Sequence, residues 1–307
     1  MTGLAAVPME SPESELAGGR DLVLGRYRLR ERLGRGSLAE VYRATDVAGG
    51  RDVAVKIAAD AGARQRDRIH NEARILAALD HRAIVGFVGE GIIAGGARAG
   101  RPFLIEELAF GTSLSDTLRS AEPRRADVAA WATDLYDGIS HLHGVGLVHR
   151  DIKPANLMLS GLRRSPVRIV DFGIAALAGT LPEPGISSGT VHYMSPEQAS
   201  GGPAHPSWDV YALGLVLLEL LTGRKAYPGT AVESLVARTL RSPEIPRMLG
   251  RGWSELLGSA TAMDGANRPT AAEAAGLASR LVPPGRPRRA HLLSRRSARG
   301  IPLTRPA

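Results

Sequence analysis

Apolar and polar residues follow a strand-like spacing up to about residue 108 and a helical spacing after it. Tyr27, Leu29 and Leu33 fall two and four positions apart, the spacing with which a strand turns one face inward. A glycine-bearing turn follows, the pattern resumes at Val41 and Tyr42, and Val53 to Ile57 forms a short apolar run that contains Lys56. Between Arg64 and Leu79 the period changes. Ile69, Ala73, Leu76 and Leu79 recur at steps of three and four and predict a helix with one buried face. Ile84 to Val88 and Phe103 to Ile105 are two further strand-like runs, joined by a Gly-rich connection. Beyond Leu108 the spacing predicts helices over 127–143, 208–221, 232–240, 254–263 and 270–281. Strands first and helices second predict an α+β protein of two lobes. The boundaries that follow are a loose leader over 1–20, a first lobe over 21–108, a second over 109–282, and an Arg/Pro-rich tail over 283–307 that is expected to be mobile.

Composition narrows the picture. The chain has no cysteine, which excludes disulfides, thiolate metal sites and cysteine nucleophiles. Its formal net charge of +8 could point to nucleic acid, but Arg286, Arg288, Arg289, Arg295, Arg296, Arg299 and Arg305 supply much of it from the tail. No aromatic residues are interleaved there to stack on bases, so a solvated tail is the reading and no nucleic-acid partner is expected. The most apolar segment, Val210 to Leu218, is far shorter than the roughly 20 residues that span a bilayer. With no basic-then-apolar leader, a cytoplasmic chain without a transmembrane segment is expected.

Several segments carry chemistry. Gly34 and Gly36, in Gly34-Arg35-Gly36-Ser37-Leu38-Ala39-Glu40-Val41, allow a backbone to approach a phosphate closely, although many turns contain two glycines. Lys56 ends a buried strand, where a charge is unusual, and Glu72 on the following helix is its natural partner. In His149-Arg150-Asp151-Ile152-Lys153-Pro154-Ala155-Asn156, Asp151 can accept a hydrogen bond from an attacking hydroxyl. Lys153 can neutralise charge on a transferred phosphoryl group, and Asn156 can bind a metal. Asp171-Phe172-Gly173 adds a second carboxylate for Mg²⁺. A clamp, bridging cations and an in-line acceptor are the parts that phosphoryl transfer needs. Any one of these acids alone reads as a turn or cap residue, but the whole series in this order does not.

In that order and spacing, the segments resemble the bacterial eukaryotic-like (Hanks-type) serine/threonine protein kinases. Gly189 to Glu197, Asp209 to Gly214 and Asn267 to Thr270 extend the resemblance over about residues 22 to 282. It implies a two-lobed protein kinase fold with a small β-rich N-lobe and a larger α-helical C-lobe, using ATP and Mg²⁺ on protein substrates. Leu33, Gly34, Gly36, Val41 and Ala54 would cover the nucleotide from one side and Met158 from the other. The hinge would run through Glu107, Leu108 and Ala109, whose backbone groups would bond the adenine edge. An ungapped match puts Glu106 at the gate of the adenine pocket, where the family usually has an apolar residue. Either Lys56 or solvent then satisfies that carboxylate, or the local register is off by one and Ile105 is the gate. Glu197 would pair with Arg268, and Asp209 would brace the backbone near His149. Lys153-Pro154 and Thr190 resemble the serine/threonine rather than the tyrosine branch. Arg150 would belong to a basic pocket for a phosphorylated loop, with Ser187, Ser188 and Thr180 as candidate sites and two copies of the chain meeting during autophosphorylation. A pseudokinase would lack one of Lys56, Asp151, Asn156 and Asp171, and a small-molecule phosphotransferase would lack Lys153-Pro154 and Ser195-Pro196-Glu197.

Overall fold

Alternation folds the first part of the chain into one antiparallel sheet. The structure is a computed structural model that describes residues 22–23, 25–120, 122–160, 167–181 and 191–284. The leader 1–20, the tail from 285, and Ser187, Ser188 and Thr190 lie outside the described residues. The first strands are β1 (Leu22–Val23), β2 (Tyr27–Arg35), β3 (Ala39–Asp46) and β4 (Asp52–Ala58). Helix α1 (Ala63–Ala77) precedes β5 (Phe87–Ile92) and β6 (Pro102–Glu107), and the sheet order is β1-β2-β3-β4-β6-β5. Residues opposite one another in an antiparallel ladder project from the same face. The register pairs Ala54 with Glu106, Val55 with Ile105 and Lys56 with Leu104. Val53, Val55 and Ile57 pack with Phe103 and Ile105 in one apolar cluster. Leu104 joins Ile69, Ala73 and Leu76 of α1 on the other face. Lys56 and Glu106 therefore share the face that looks onto α1 and the cleft.

The run at Ile84 does not start a strand. Ile84 forms a parallel bridge to Ile169 in the second lobe, and the Val85 N–H donates to the Ile169 carbonyl at 3.2 Å. The segment is thereby tied across the lobes, and the strand begins at Phe87.

The second lobe is helical at its core. It opens with β7 (Gly111–Ser113), α2 (Leu114–Ser120) and α3 (Arg125–Gly144), followed by the short strands β8 (Leu147–Val148), β9 (Leu157–Ser160), β10 (Val167–Ile169) and β11 (Ala176–Leu177). Then come α4 (Pro196–Ala199), α5 (Ser207–Thr222), α6 (Ala231–Leu240), α7 (Arg251–Ala260) and α8 (Ala271–Ser279). Helix α5 is buried from Ser207 to Leu220, which explains its continuous apolar sequence. It stops at Gly223, whose left-handed φ of 68° suits a residue without a Cβ. Thr230 with Glu233, and Thr270 with Glu273, form capping boxes that fix where α6 and α8 begin. Among the described residues no helix is long and apolar enough to cross a membrane.

The second lobe also contains strands that the spacing did not predict: a β10-β9-β7 sheet and a β11-β8 pair. Their lengths of two to four residues are too short for a period to show. Gly111 is essential to the first. Its φ is 138°, and a Cβ there would stand 1.7 Å from the Leu159 carbonyl oxygen. Gly111→Ala is expected to lower stability by about 1–3 kcal/mol, measured by chemical denaturation. An unchanged midpoint would mean that β7 can leave β9 without cost.

Candidate active site

The central strand carries Lys56 into the cleft. Its ammonium donates to Glu72 Oε1 at 2.7 Å, to Glu72 Oε2 at 2.9 Å and to Asp171 Oδ1 at 2.7 Å. Burial works against the charge, but the two carboxylates outweigh it and hold the Lys56 pKa above its ordinary value. In return, the Lys56 charge holds the Asp171 carboxyl down at about 2. Glu72, on α1, is itself buried, so the helix is held at the sheet by this ion pair.

A second cluster lies on the loop after β8. Lys153 Nζ donates to Asp151 Oδ2 at 2.6 Å, and Asn156 Nδ2 donates to Asp151 Oδ2 at 3.1 Å and to its backbone carbonyl at 3.0 Å. The loop is held from below by Asp209 on α5. This buried carboxylate accepts from the His149 N–H at 2.8 Å and the Arg150 N–H at 2.9 Å, and it pairs with His143 Nε2 at 2.9 Å. The His149 ring packs edge-on against Phe172 at 4.8 Å, joining the two acidic segments. Arg150 and Asp171 have φ of 68° and 64°, the non-glycine residues with positive φ among those described.

Other expected residues fall around this centre. A Cβ at Gly34 would meet nothing within 4 Å, and one at Gly36 only the Ala39 carbonyl at 3.6 Å, so the glycine-rich turn faces open space. Leu33 is half exposed, Val41 and Met158 are partly buried, and Ala54 is buried. Glu107 spends its N–H on the Gly86 carbonyl at 2.8 Å, and its side chain accepts from Arg168 at 3.1 Å. Glu197 pairs with Arg268 at 2.8 Å. Thr180 is exposed, and its carbonyl accepts from the Ala204 N–H at 2.9 Å.

The register places Glu106, not Ile105, on the cleft face. Ile105 is buried in the opposite apolar cluster. The expectation that Lys56 or solvent satisfies Glu106 does not hold. Lys56 bonds to Glu72 and Asp171, while Glu106 is buried with Oε2 lacking a hydrogen-bond partner.

Residues 27–277 match the family model for the protein kinase domain. The chain belongs to the protein kinase family. It is 36% identical over 271 residues to the serine/threonine-protein kinase PknL of Mycobacterium bovis, covering 82% of this chain and 65% of that protein. It is 38% identical over 234 residues to the serine/threonine-protein kinase PknB of Mycolicibacterium smegmatis, covering 72% of this chain and 36% of that protein. The kinase chain thus spans just under two thirds of the first relative and about a third of the second.

Protein kinases generally use ATP and Mg²⁺, and the donor set in this kinase fits both. Asn156 and Asp171 offer oxygen ligands, the type a hard cation takes. Among the described residues no group of three or more His, Cys, Asp or Glu could hold a metal. A two-ligand set suits Mg²⁺, which completes its shell with water and phosphate oxygens.

Three contacts of the kinase site carried no signal in the sequence. Arg238 on α6 is fully buried and donates to the carbonyls of Val191 and Met194, and to Ser234 Oγ at 2.7 Å. It fastens the segment before Ser195, yet an arginine on an amphipathic helix reads as a surface residue. Gln198 Nε2 donates to the Arg150 carbonyl at 2.8 Å, and Arg168 ties the hinge to β10 through Glu107.

Proposed function

We propose that this chain is a serine/threonine protein kinase that transfers the γ-phosphoryl group of ATP to Ser and Thr hydroxyls of proteins in the cytoplasm, the compartment that supplies ATP. One observation carries the reading: the Asp151–Lys153–Asn156 cluster and the Lys56–Glu72–Asp171 cluster stand together, joined through His149 and Phe172. Asp151 orients the acceptor hydroxyl and takes its proton as the hydroxyl oxygen bonds to the γ-phosphorus. The bond from that phosphorus to the bridging oxygen breaks, and ADP departs with the electron pair. Lys153, beside Asp151, is placed to neutralise charge on the moving phosphoryl group. Lys56, held by Glu72, receives the α- and β-phosphates, and the hinge at Glu107, Leu108 and Ala109 receives the base. Leu33, Gly34, Gly36, Val41 and Ala54 cover the nucleotide on one side and Met158 on the other. Mg²⁺, held by Asn156 and Asp171, supplies charge neutralisation between the phosphates. The Lys153-Pro154 pair favours a Ser/Thr acceptor.

The test is radiolabelled ATP with Mg²⁺, purified protein and a generic basic protein substrate. Label is expected on Ser or Thr of the substrate. Transfer to a small-molecule acceptor alone would replace this reading with that of a metabolite kinase.

Autophosphorylation belongs to the same proposal. The Arg150 guanidinium reaches the Ile174 carbonyl at the start of the loop after Asp171. A phosphate on that loop would supply the anion such a pocket attracts. Incubation with ATP and Mg²⁺ is expected to phosphorylate Ser187 or Ser188 ahead of Thr180, with two copies of the chain meeting, and to raise activity. Mass spectrometry of the loop peptide reads the outcome. An unmodified loop in a fully active preparation would leave Arg150 a structural role.

A further inference from the structure

Glu106 presents a problem that the transfer chemistry does not use. It is 9% exposed and stands directly opposite Ala54 in the β4–β6 ladder, and its Oε2 has no hydrogen-bond partner. A buried, unpartnered polar atom is costly unless something absent completes it. The charged groups that face it are Glu72 from α1, Lys56 from β4 and Asp171 after β10, and its ladder neighbour on β5 is Phe87. Burial first, then the Glu72 and Asp171 carboxylates, push its pKa up to about 8 against the opposing pull of Lys56. At neutral pH it therefore carries its proton. A protonated carboxyl presents one donor and one acceptor side by side, the same pair that a glutamine amide presents.

The position says what could complete it. Cross-strand neighbours have Cβ atoms roughly 5 Å apart, so Glu106 lies within a side-chain length of the space below Ala54. It immediately precedes the hinge. A purine that turns its Watson–Crick edge to the backbone of the hinge shares its 6-position with the adjoining edge, which carries N7. That corner meets the residue before the hinge. In adenine the adjoining edge offers a 6-amino donor and an N7 acceptor, the pattern that glutamine and asparagine read with two hydrogen bonds. In a 6-oxopurine both positions are acceptors, so one faces the Glu106 carbonyl oxygen unpaired.

We propose that Glu106 is a base-specificity residue whose carboxyl pairs with the amino and N7 edge of adenine and rejects 6-oxopurine nucleotides. The inference rests on the kinase reading for the placement of the base in the cleft.

The experiment measures affinities of the full chain for ATP, ITP and 7-deaza-ATP by displacement of a fluorescent nucleotide, separately from phosphoryl transfer to protein. The wild-type protein is expected to prefer ATP over ITP by roughly tenfold or more, the size of one well-made hydrogen bond. Removing N7 is expected to weaken binding by a similar factor. Glu106→Gln keeps the donor–acceptor pair and should keep the preference. Glu106→Leu should bring ATP and ITP close to equal affinity and make the N7 deletion silent. An ATP preference unchanged in E106L, or a wild-type protein indifferent to both N7 and the 6-substituent, overturns the proposal. The wild-type arms decide it even if E106L does not fold. Base selectivity without transfer to protein sinks the kinase reading and leaves this inference standing, whereas absence of ATP binding overturns both.

Discussion

Asp151→Asn is expected to lower the rate of phosphoryl transfer to a peptide by roughly 10²–10⁴-fold, the usual contribution of a positioned acid–base group. The substitution is nearly isosteric. Its amide oxygen can still accept from Lys153 and Asn156, which now reach Asp151 Oδ2 at 2.6 and 3.1 Å, so the loop should hold its shape. What disappears is the negative charge that orients the hydroxyl and takes its proton. ATP affinity should change little, because Lys56, Glu72 and the hinge are untouched. Single-turnover transfer from labelled ATP, with nucleotide affinity measured in parallel, separates the two effects. Full activity in the variant would remove Asp151 from the role of base.

Asp209→Ala is expected to cost roughly 3–5 kcal/mol of stability, because removing one partner of a buried charged network strands the others. The His149 and Arg150 N–H groups and His143 would all lose their acceptor in a site that is 1% exposed. Burial alone would raise the Asp209 pKa, but hydrogen bonding and charge from His143, with help from His149, bring it below the ordinary value. A carboxyl whose folded pKa is depressed contributes stability that is present above its unfolded pKa and is lost as pH falls through the folded value. The deficit should therefore persist from neutral pH down to about pH 5, above the ordinary carboxylate range. Chemical denaturation at both pH values measures it. A loss under about 1 kcal/mol would mean that water replaces the carboxylate and that the loop is held elsewhere.

Much of this was legible in the sequence, for a physical reason. The expected helix over 64–79 is α1 at Ala63–Ala77, and that over 127–143 is α3 at Arg125–Gly144, because long amphipathic periods survive noise. Glu197 and Arg268 meet, as do Asp209 and the backbone at His149, although each pair is about 60 to 70 residues apart in the chain. Those pairs followed from a resemblance over the whole series, since no spacing rule predicts a contact at that range. Glu106 shows the opposite limit. Its position before the hinge was readable, but its partner depended on which face of β6 it occupies and on where Lys56 points. Arg238 was invisible because burial of a charge on a polar-looking helix is decided by the carbonyls of a distant segment.

Arg150 and Asp171 combine side chains with a Cβ and a left-handed backbone, a conformation that costs of order 1–3 kcal/mol at each position. Glycine would adopt the same angles without that cost. A library of variants sorted for heat resistance alone would therefore drift toward glycine at both places, and the hardiest survivors would lack a carboxylate or a guanidinium in the cleft. Durability and turnover pull on the same two codons, so a selection meant to toughen this protein has to reward turnover at every round.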